Sequence, residues 1–320
     1  MKRIAAGIDM GGTNTTVGLV TEGGECLCEQ SFRTHDSASF NDFISRVVTV
    51  VNNLRNGLDG SFSLVGAGIG APNGSYMTGE IVNAPNLRWK GKLPLGAGLA
   101  SALGVPAIVT NDANAATMGE WYFGSAQGMK NFVYITLGTG LGSGFVVDGQ
   151  LMLGNDGFAG ELGHVTVVSS GRQCGCGKRG CLETYVSAPG LRRTAFELLA
   201  NSLTSSALRS YAYDSISAKI IAEYAAKGDQ VAIKAFELTG EMLGMALANV
   251  VALFNPEAIF LFGGLSKAGN LLFEPTKRHM EENLLFVFRN RVKLLPSGLG
   301  NKNAAVFGAA ALIWKELDKK

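Results

Sequence analysis

The sequence predicts two similar α/β lobes, and three observations carry that prediction. A strand, a glycine turn and a second strand occur near position 6 and again near position 134. A length of 320 residues suits about two domains. Short apolar runs closed by glycine alternate with longer stretches of helical spacing.

In chain order, Arg3–Asp9 is an apolar strand that runs into Gly11 and Gly12. Strands follow at Thr15–Thr21 and Glu25–Thr34, separated by the Gly23-Gly24 turn signal. Ser39–Gly57 has helical spacing through Phe40, Phe43, Ile44, Val47, Val48, Val51 and Leu54. Leu64–Gly70 and Pro106–Thr110 read as strands, and Asn114–Gly124 as a helix. The second lobe opens on Tyr134–Leu137, then Gly138-Thr139-Gly140, then Gly144–Val147, the layout of Ala6–Val20 repeated. Helices are expected at Ser215–Lys227 and Gln230–Phe254, a strand at Ala258–Phe262 and a last helix at Ala304–Leu317.

Composition excludes several functions. A net charge of +2 is far from the basic imbalance of a nucleic-acid binder. Arg289, Arg291 and Lys293 alternate like the solvated face of a strand. Asp9 breaks the first apolar run, which is too short for a signal segment, and Met242–Phe254 is shorter than a membrane span. A cytoplasmic protein that engages no membrane is expected. There is no GxxxxGK[ST], and Gly66–Ala71 fits GxGxxG/A only formally, because Pro72 follows and no helix begins there.

The 43 glycines need local reasons. Phosphate oxygens are held by converging backbone N–H groups, which glycine leaves accessible. Asp9-Met-Gly11-Gly12-Thr13-Asn14 places a carboxylate at a strand end beside such a turn, where hydrated Mg²⁺ can meet a phosphate. A plain hairpin turn accounts for the same residues. Leu137–Gly144 and Phe262–Ser266 are the second and third glycine turns. Asp112, between a strand and a helix, suits either a helix N-cap or a general base kept ionised by the helix N-terminus.

His164, Cys174, Cys176 and Cys181 make a Cys₃His set within eighteen residues, the composition of a closed structural zinc site. Gly175, Gly177 and Gly180 permit the tight loop. Glu161 and Glu183 flank this loop, so the ion is expected to fix two carboxylates for sugar hydroxyls and to leave the glycine turns untouched. Cys26 and Cys28 alternate along a strand and are not expected to be ligands.

Taken in order, Asp9-x-Gly-Gly-Thr13, Asn111-Asp112-Ala-Asn-Ala-Ala116, Gly160-Glu161-Leu-Gly-His164, the Cys174–Glu183 run and Gly263-Gly264-x-Ser266 resemble the ROK family of repressors, open reading frames and sugar kinases. The resemblance spans nearly the whole chain. It implies the actin-like, ribonuclease-H-like ATPase fold, with a small lobe of 1–116 completed by the C-terminal helix 304–320. A large lobe of 117–303 would carry the zinc loop 164–181, with ATP and a hexose in the cleft. The resemblance gives Asp9, Gly11, Gly12, Thr13 and Asn14 to magnesium and phosphates, Gly138, Thr139 and Gly140 to the second phosphate turn, and Gly264 to adenosine. It makes Asp112 the general base. Asn86, Asn111, Asp112, Glu161, His164 and Glu183 would contact sugar hydroxyls, His164 serving zinc through its other ring nitrogen.

The resemblance thus implies an ATP-dependent hexose kinase, most like the glucokinase members, with Mg²⁺ and structural Zn²⁺, forming a dimer or tetramer. Fructokinase and N-acetylhexosamine kinase are the neighbouring alternatives. A sugar-responsive repressor is the alternative of another class. Repressors of the family carry an N-terminal helix-turn-helix extension, and the first strand here begins at Arg3.

Overall fold

The computed structural model describes residues 1–59, 62–300 and 303–318, so the end of the expected C-terminal helix, 319–320, lies outside the described residues. The chain begins with strands β1 (Lys2–Met10), β2 (Asn14–Thr21) and β3 (Cys26–Arg33). Helix α1 (Phe40–Asn56), strand β4 (Phe62–Gly70) and the short strands β5 (Ile81–Val82) and β6 (Lys92–Leu93) follow. Next come α2 (Leu95–Leu103), β7 (Ala107–Thr110), α3 (Asp112–Phe123), β8 (Phe132–Leu137), β9 (Leu141–Val147) and β10 (Gln150–Leu151). The rest comprises α4 (Ala188–Asn201), α5 (Ala218–Ala226), α6 (Gln230–Phe254), β11 (Ala258–Phe262), α7 (Asn270–Asn283), β12 (Lys293–Pro296) and α8 (Ala304–Leu317).

Two compact units emerge. One comprises Met1–Met129, Leu151–Gly160 and Ser297–Lys320, the other Lys130–Gln150 and Glu161–Pro296. Their sheets share one topology, with strand orders β3-β2-β1-β4-β7 and β10-β9-β8-β11-β12. In each, an antiparallel hairpin supplies the strand on which two parallel strands build: β1 pairs with β2 and β4, and β8 with β9 and β11. The repeat seen in the sequence is therefore a repeat of topology.

In the first unit, α8 lies on β1 and β4 with backbone against backbone. A Cβ on Gly68 would fall 1.7 Å from the Ala309 carbonyl oxygen, and one on Gly7 would fall 2.0 Å from that of Val306. Gly66 meets Ile313 in the same way. The glycines that imitated a dinucleotide fingerprint are there to admit a helix. On its other side α8 meets α3, where Gly308 rests on the Ala115 carbonyl and Gly119 on Gly308. This contact keeps all of α3 in the first unit, which runs on to Met129.

Helix α6 is capped by the Asp229 carboxylate, which accepts from the Val231 and Ala232 N–H groups. It holds the one apolar window among the described residues long enough to cross a membrane, longer than Met242–Phe254 suggested, and 56% of that window is buried. Gly240 and Gly244 let α7 press close, with Pro275, Thr276 and His279 against them. Arg289, Arg291 and Lys293 are exposed, as solvated surface should be, but Arg289 and Arg291 lie in a turn with Asn290 at φ 60°, and only Lys293 belongs to a strand.

The three tryptophans, Trp89, Trp121 and Trp314, all lie in the first unit, so their fluorescence reports its unfolding alone. Gly68→Ala drives a methyl into the Ala309 carbonyl and forces α8 outward. Overpacking of this kind costs about 1–3 kcal/mol, and the urea midpoint read by tryptophan emission should fall accordingly. An unchanged midpoint would mean that α8 does not depend on this approach.

Candidate functional site

In the first unit the glycine turn joins β1 to β2. The Gly11 N–H donates to the Asn14 carbonyl at 2.9 Å. Thr34, which the sequence did not single out, secures the turn. Its hydroxyl donates to the Gly11 carbonyl at 2.8 Å, its N–H to the Thr13 carbonyl at 2.8 Å, and its Oγ1 lies 2.8 Å from Thr15 Oγ1. Thr13 and Asn14 stay exposed at the tip.

Asn86 sits directly against this turn, since a Cβ on Gly12 would be 2.8 Å from Asn86 Cβ. The segment holding Asn86 is fixed by its neighbours. Leu87 is buried, and the Trp89 ring lies 5.4 Å from that of Phe43. Arg88 donates to the carbonyls of His35 and Ser37.

Asn111 and Asp112 open α3. The cap is Asn111, whose side-chain oxygen accepts from the Asn114 N–H at 2.6 Å. Asp112 is thus the first helical residue, with one oxygen accepting from the Ala113 N–H at 2.8 Å, and the capping duty the sequence allowed it falls to its neighbour. Asn111 retains its amide NH₂ as a donor. Asp9, at the end of β1, feels Asp112. Burial first, and then the Asp112 charge, raise the Asp9 carboxyl to about 6. A magnesium ion fits this pairing, because a buried carboxylate repelled by another gains most from a cation. Farther along α3, buried Glu120 accepts from the Ser125 and Gly298 N–H groups and from the Ser297 hydroxyl.

In the second unit Gly138, Thr139 and Gly140 turn β8 into β9, with the Gly138 N–H donating to the Gly140 carbonyl at 2.9 Å. The third turn packs on the end of the same strand. Gly263, at φ 102°, brings its Cα side within 2.4 Å (Cβ position) of the Leu137 carbonyl oxygen, and Gly264 follows it.

Glu161 precedes the 3-10 turn Leu162–His164, and Glu183 lies within the 3-10 turn Leu182–Thr184. The four ligand atoms of His164, Cys174, Cys176 and Cys181 all lie within 4.8 Å of one another. His164 Nδ1 is 3.7 Å from Cys174 Sγ, and Cys176 Sγ is 3.7 Å from Cys181 Sγ. Zn–S and Zn–N bonds of ordinary length give a tetrahedron with edges of about 3.6–3.8 Å, so the set fits a zinc ion. Burial pushes the Cys181 thiol up to about 12, while the Lys178 N–H holds Cys176 below the usual thiol range. A cation is what would ionise the former.

Two features of this loop escaped the sequence. Arg172, nearly buried, donates to the Thr184 and Gly190 carbonyls, to Thr194 Oγ1 and to Glu197, and stacks over Tyr185 at 4.5 Å. The loop therefore has an anchor besides any ion. Moreover, Glu183 does not stand apart from the glycine turns: its Oε2 accepts from the Leu141 N–H at 2.9 Å.

Comparison with known proteins gives one family. The ROK family model matches residues 5–316. A glucokinase of Halalkalibacterium halodurans is 36% identical over 311 residues, covering 96% of this chain and 94% of its own. The crystal structure of a ROK family glucokinase from Streptomyces griseus in complex with glucose and AMPPNP has a TM-score of 0.77 at 34% identity, covering 97% of this chain and 98% of that one. A ROK family transcriptional regulator, homologous to the E. coli MLC protein, has a TM-score of 0.87 at 30% identity, covering 99% of this chain and 79% of that one.

The raised Asp9 carboxyl has a sign that can be tested. Its folded pKa of about 6 exceeds the ordinary 3.8, so ionisation costs stability at neutral pH and costs nothing below about 4. Asp9→Asn should stabilise the metal-free first unit at pH 7.5, by on the order of 1 to 3 kcal/mol. The gain should shrink as pH falls through about 6. Urea titrations from pH 4 to 8, read by tryptophan emission, check this, and a pH-independent difference would refute it.

Proposed function

Because the chain belongs to the ROK family, we propose that it is an ATP-dependent hexose kinase that transfers the γ-phosphoryl group to the 6-hydroxyl of glucose. The observation that carries this reading is Asp112, free of capping duty at the start of α3 and near enough to Asp9 to raise its pKa. The identities of 36% and 34% to glucokinases, against 30% to the transcriptional regulator, support the same choice.

Phosphoryl transfer asks the protein mainly to position groups and to stabilise charge. Gly11, Gly12, Thr13 and Asn14 offer N–H groups and a hydroxyl to phosphate oxygens, and Gly138, Thr139 and Gly140 offer a second set. Gly264 leaves bare backbone for the nucleoside. Bound Mg²⁺ would neutralise the phosphate charge, with Asp9 orienting its hydration shell. Asp112 would accept the proton of the attacking hydroxyl, its carboxylate form favoured by the α3 N-terminus. Asn86, Asn111, Glu161, His164 and Glu183 would bind the remaining hydroxyls. His164 Nδ1 faces Cys174, so Nε2 is the nitrogen suited to sugar. Zinc, held by His164, Cys174, Cys176 and Cys181, would act structurally, its four protein ligands completing a tetrahedron.

With Mg-ATP and glucose, ADP and glucose 6-phosphate should form. A panel containing fructose, N-acetylglucosamine and N-acetylmannosamine ranks the substrates, and no ADP release with any hexose would defeat the kinase reading. Asp112→Asn should lower kcat about 10²–10⁴-fold with the fold intact. Near-normal turnover in that variant would assign the proton to another group. Metal analysis should return about one zinc per chain.

A further inference from the structure

The metal loop touches the second glycine turn at two places, both on Leu141. Gly163, in the 3-10 turn that ends at His164, lies so close that a Cβ there would be 2.3 Å from the Leu141 carbonyl oxygen. From the other side, Glu183 Oε2 accepts the Leu141 N–H at 2.9 Å and would lie 2.5 Å from a Cβ on Gly140. Leu141 thus meets both segments, through a hydrogen bond at its N–H and through the close approach of Gly163 at its carbonyl.

Those segments are also joined to each other. The Leu182 N–H donates to the Val165 carbonyl at 3.0 Å, and the Thr184 hydroxyl and N–H both donate to the Cys181 carbonyl. Leu162 N–H donates to Ser143 Oγ on β9. Glu183 therefore starts from a backbone fixed at a metal ligand two residues earlier, and its carboxylate ends on the residue that follows Gly138-Thr139-Gly140. Gly140 has no side chain, and this is what leaves room for the carboxylate beneath the turn.

We propose that Glu183 is a positioning residue for the nucleotide: together with Gly163, it transmits the geometry of the Cys₃His loop to the Gly138–Leu141 turn. This rests on reading that turn as a phosphate cradle. Three glycine-rich residues have little conformational preference of their own, and the carboxylate and the Gly163 contact supply the constraint from outside. Removing the carboxylate frees the Leu141 N–H and lets the turn sample conformations in which its N–H groups no longer converge.

The test is binding of Mg-AMPPNP without any hexose, measured by calorimetry on Glu183→Ala, Glu183→Gln and wild type. Hydrogen–deuterium exchange at the Leu141 amide is read on the same samples. Glutamine keeps an acceptor oxygen, so it should remain within about twofold of wild type, whereas alanine should weaken nucleotide binding about 10-fold or more and speed exchange at Leu141, a loss of the size common when a ligand's supporting group is removed. Zinc content should stay unchanged in both variants. Unaltered nucleotide affinity in Glu183→Ala, with slow exchange at Leu141, would overturn the proposal and leave Glu183 as a sugar contact only. Neither readout requires phosphorylation of a hexose, so failure here is distinct from failure of the kinase assignment.

Discussion

Helix α8 touches β1, β4 and α3 through main-chain atoms, and the placement of Asp9 and Asp112 depends on that contact. Gly7 and Gly68 bring α8 onto the sheet, and Gly308 and Gly119 bring α3 onto α8. Even a methyl at Gly7, Gly68 or Gly308 would fall within 1.7 to 2.0 Å of a carbonyl oxygen and force these layers apart. With the layers closed, the end of β1 and the start of α3 come near enough for the Asp112 charge to act on Asp9. A helix near the C-terminus thereby bears on the relation between Asp9 and Asp112, two carboxylates more than a hundred positions apart in the sequence.

The relation is costly in the absence of ligand. A carboxyl raised to about 6 is an ionised group in a place that resists ionisation. Proteins retain such groups where a cation or a reacting proton uses them. The surroundings of Asp9 fit that account: the Gly11–Asn14 turn is held by Thr34, and Asn86 lies against Gly12 in a segment whose Leu87 is buried and whose half-buried Trp89 packs against the core. Rigidity here comes from neutral hydrogen bonds and aromatic packing, which leaves the two carboxylates for a ligand.

The second unit achieves the same end differently. Its glycine turn is met by Glu183 and Gly163 from the loop that carries the cysteines. Polar contacts organise much of that loop: Arg172 is bound to two carbonyls, a threonine and Glu197, and the side chains of His164, Cys174, Cys176 and Cys181 gather at one point where they could hold a metal ion. Charge-assisted hydrogen bonds of this kind are stronger than neutral ones and hold a loop that contains little regular secondary structure.

Much of this protein was legible from local pattern. Helix α1 stands within a residue or two of its apolar periodicity, the duplicated hairpin is a duplicated sheet, and the Cys₃His set closes because its members lie within eighteen residues and glycines permit the turns. Alternation misled at Arg289 and Arg291, where a left-handed Asn290 breaks the strand that the charges imitated. Local pattern also left Asp112 with two roles, and only the hydrogen bond from Asn114 N–H to Asn111 decided which residue caps. The partners of Glu120, 177 and 178 residues away, and the link from Glu183 to Leu141, 42 residues away, have no signature in periodicity. Spacing along a chain reports which face a side chain takes within its own element. Which donor then meets a buried carboxylate is decided when the elements close on one another, and in this protein glycine sets how closely they can approach.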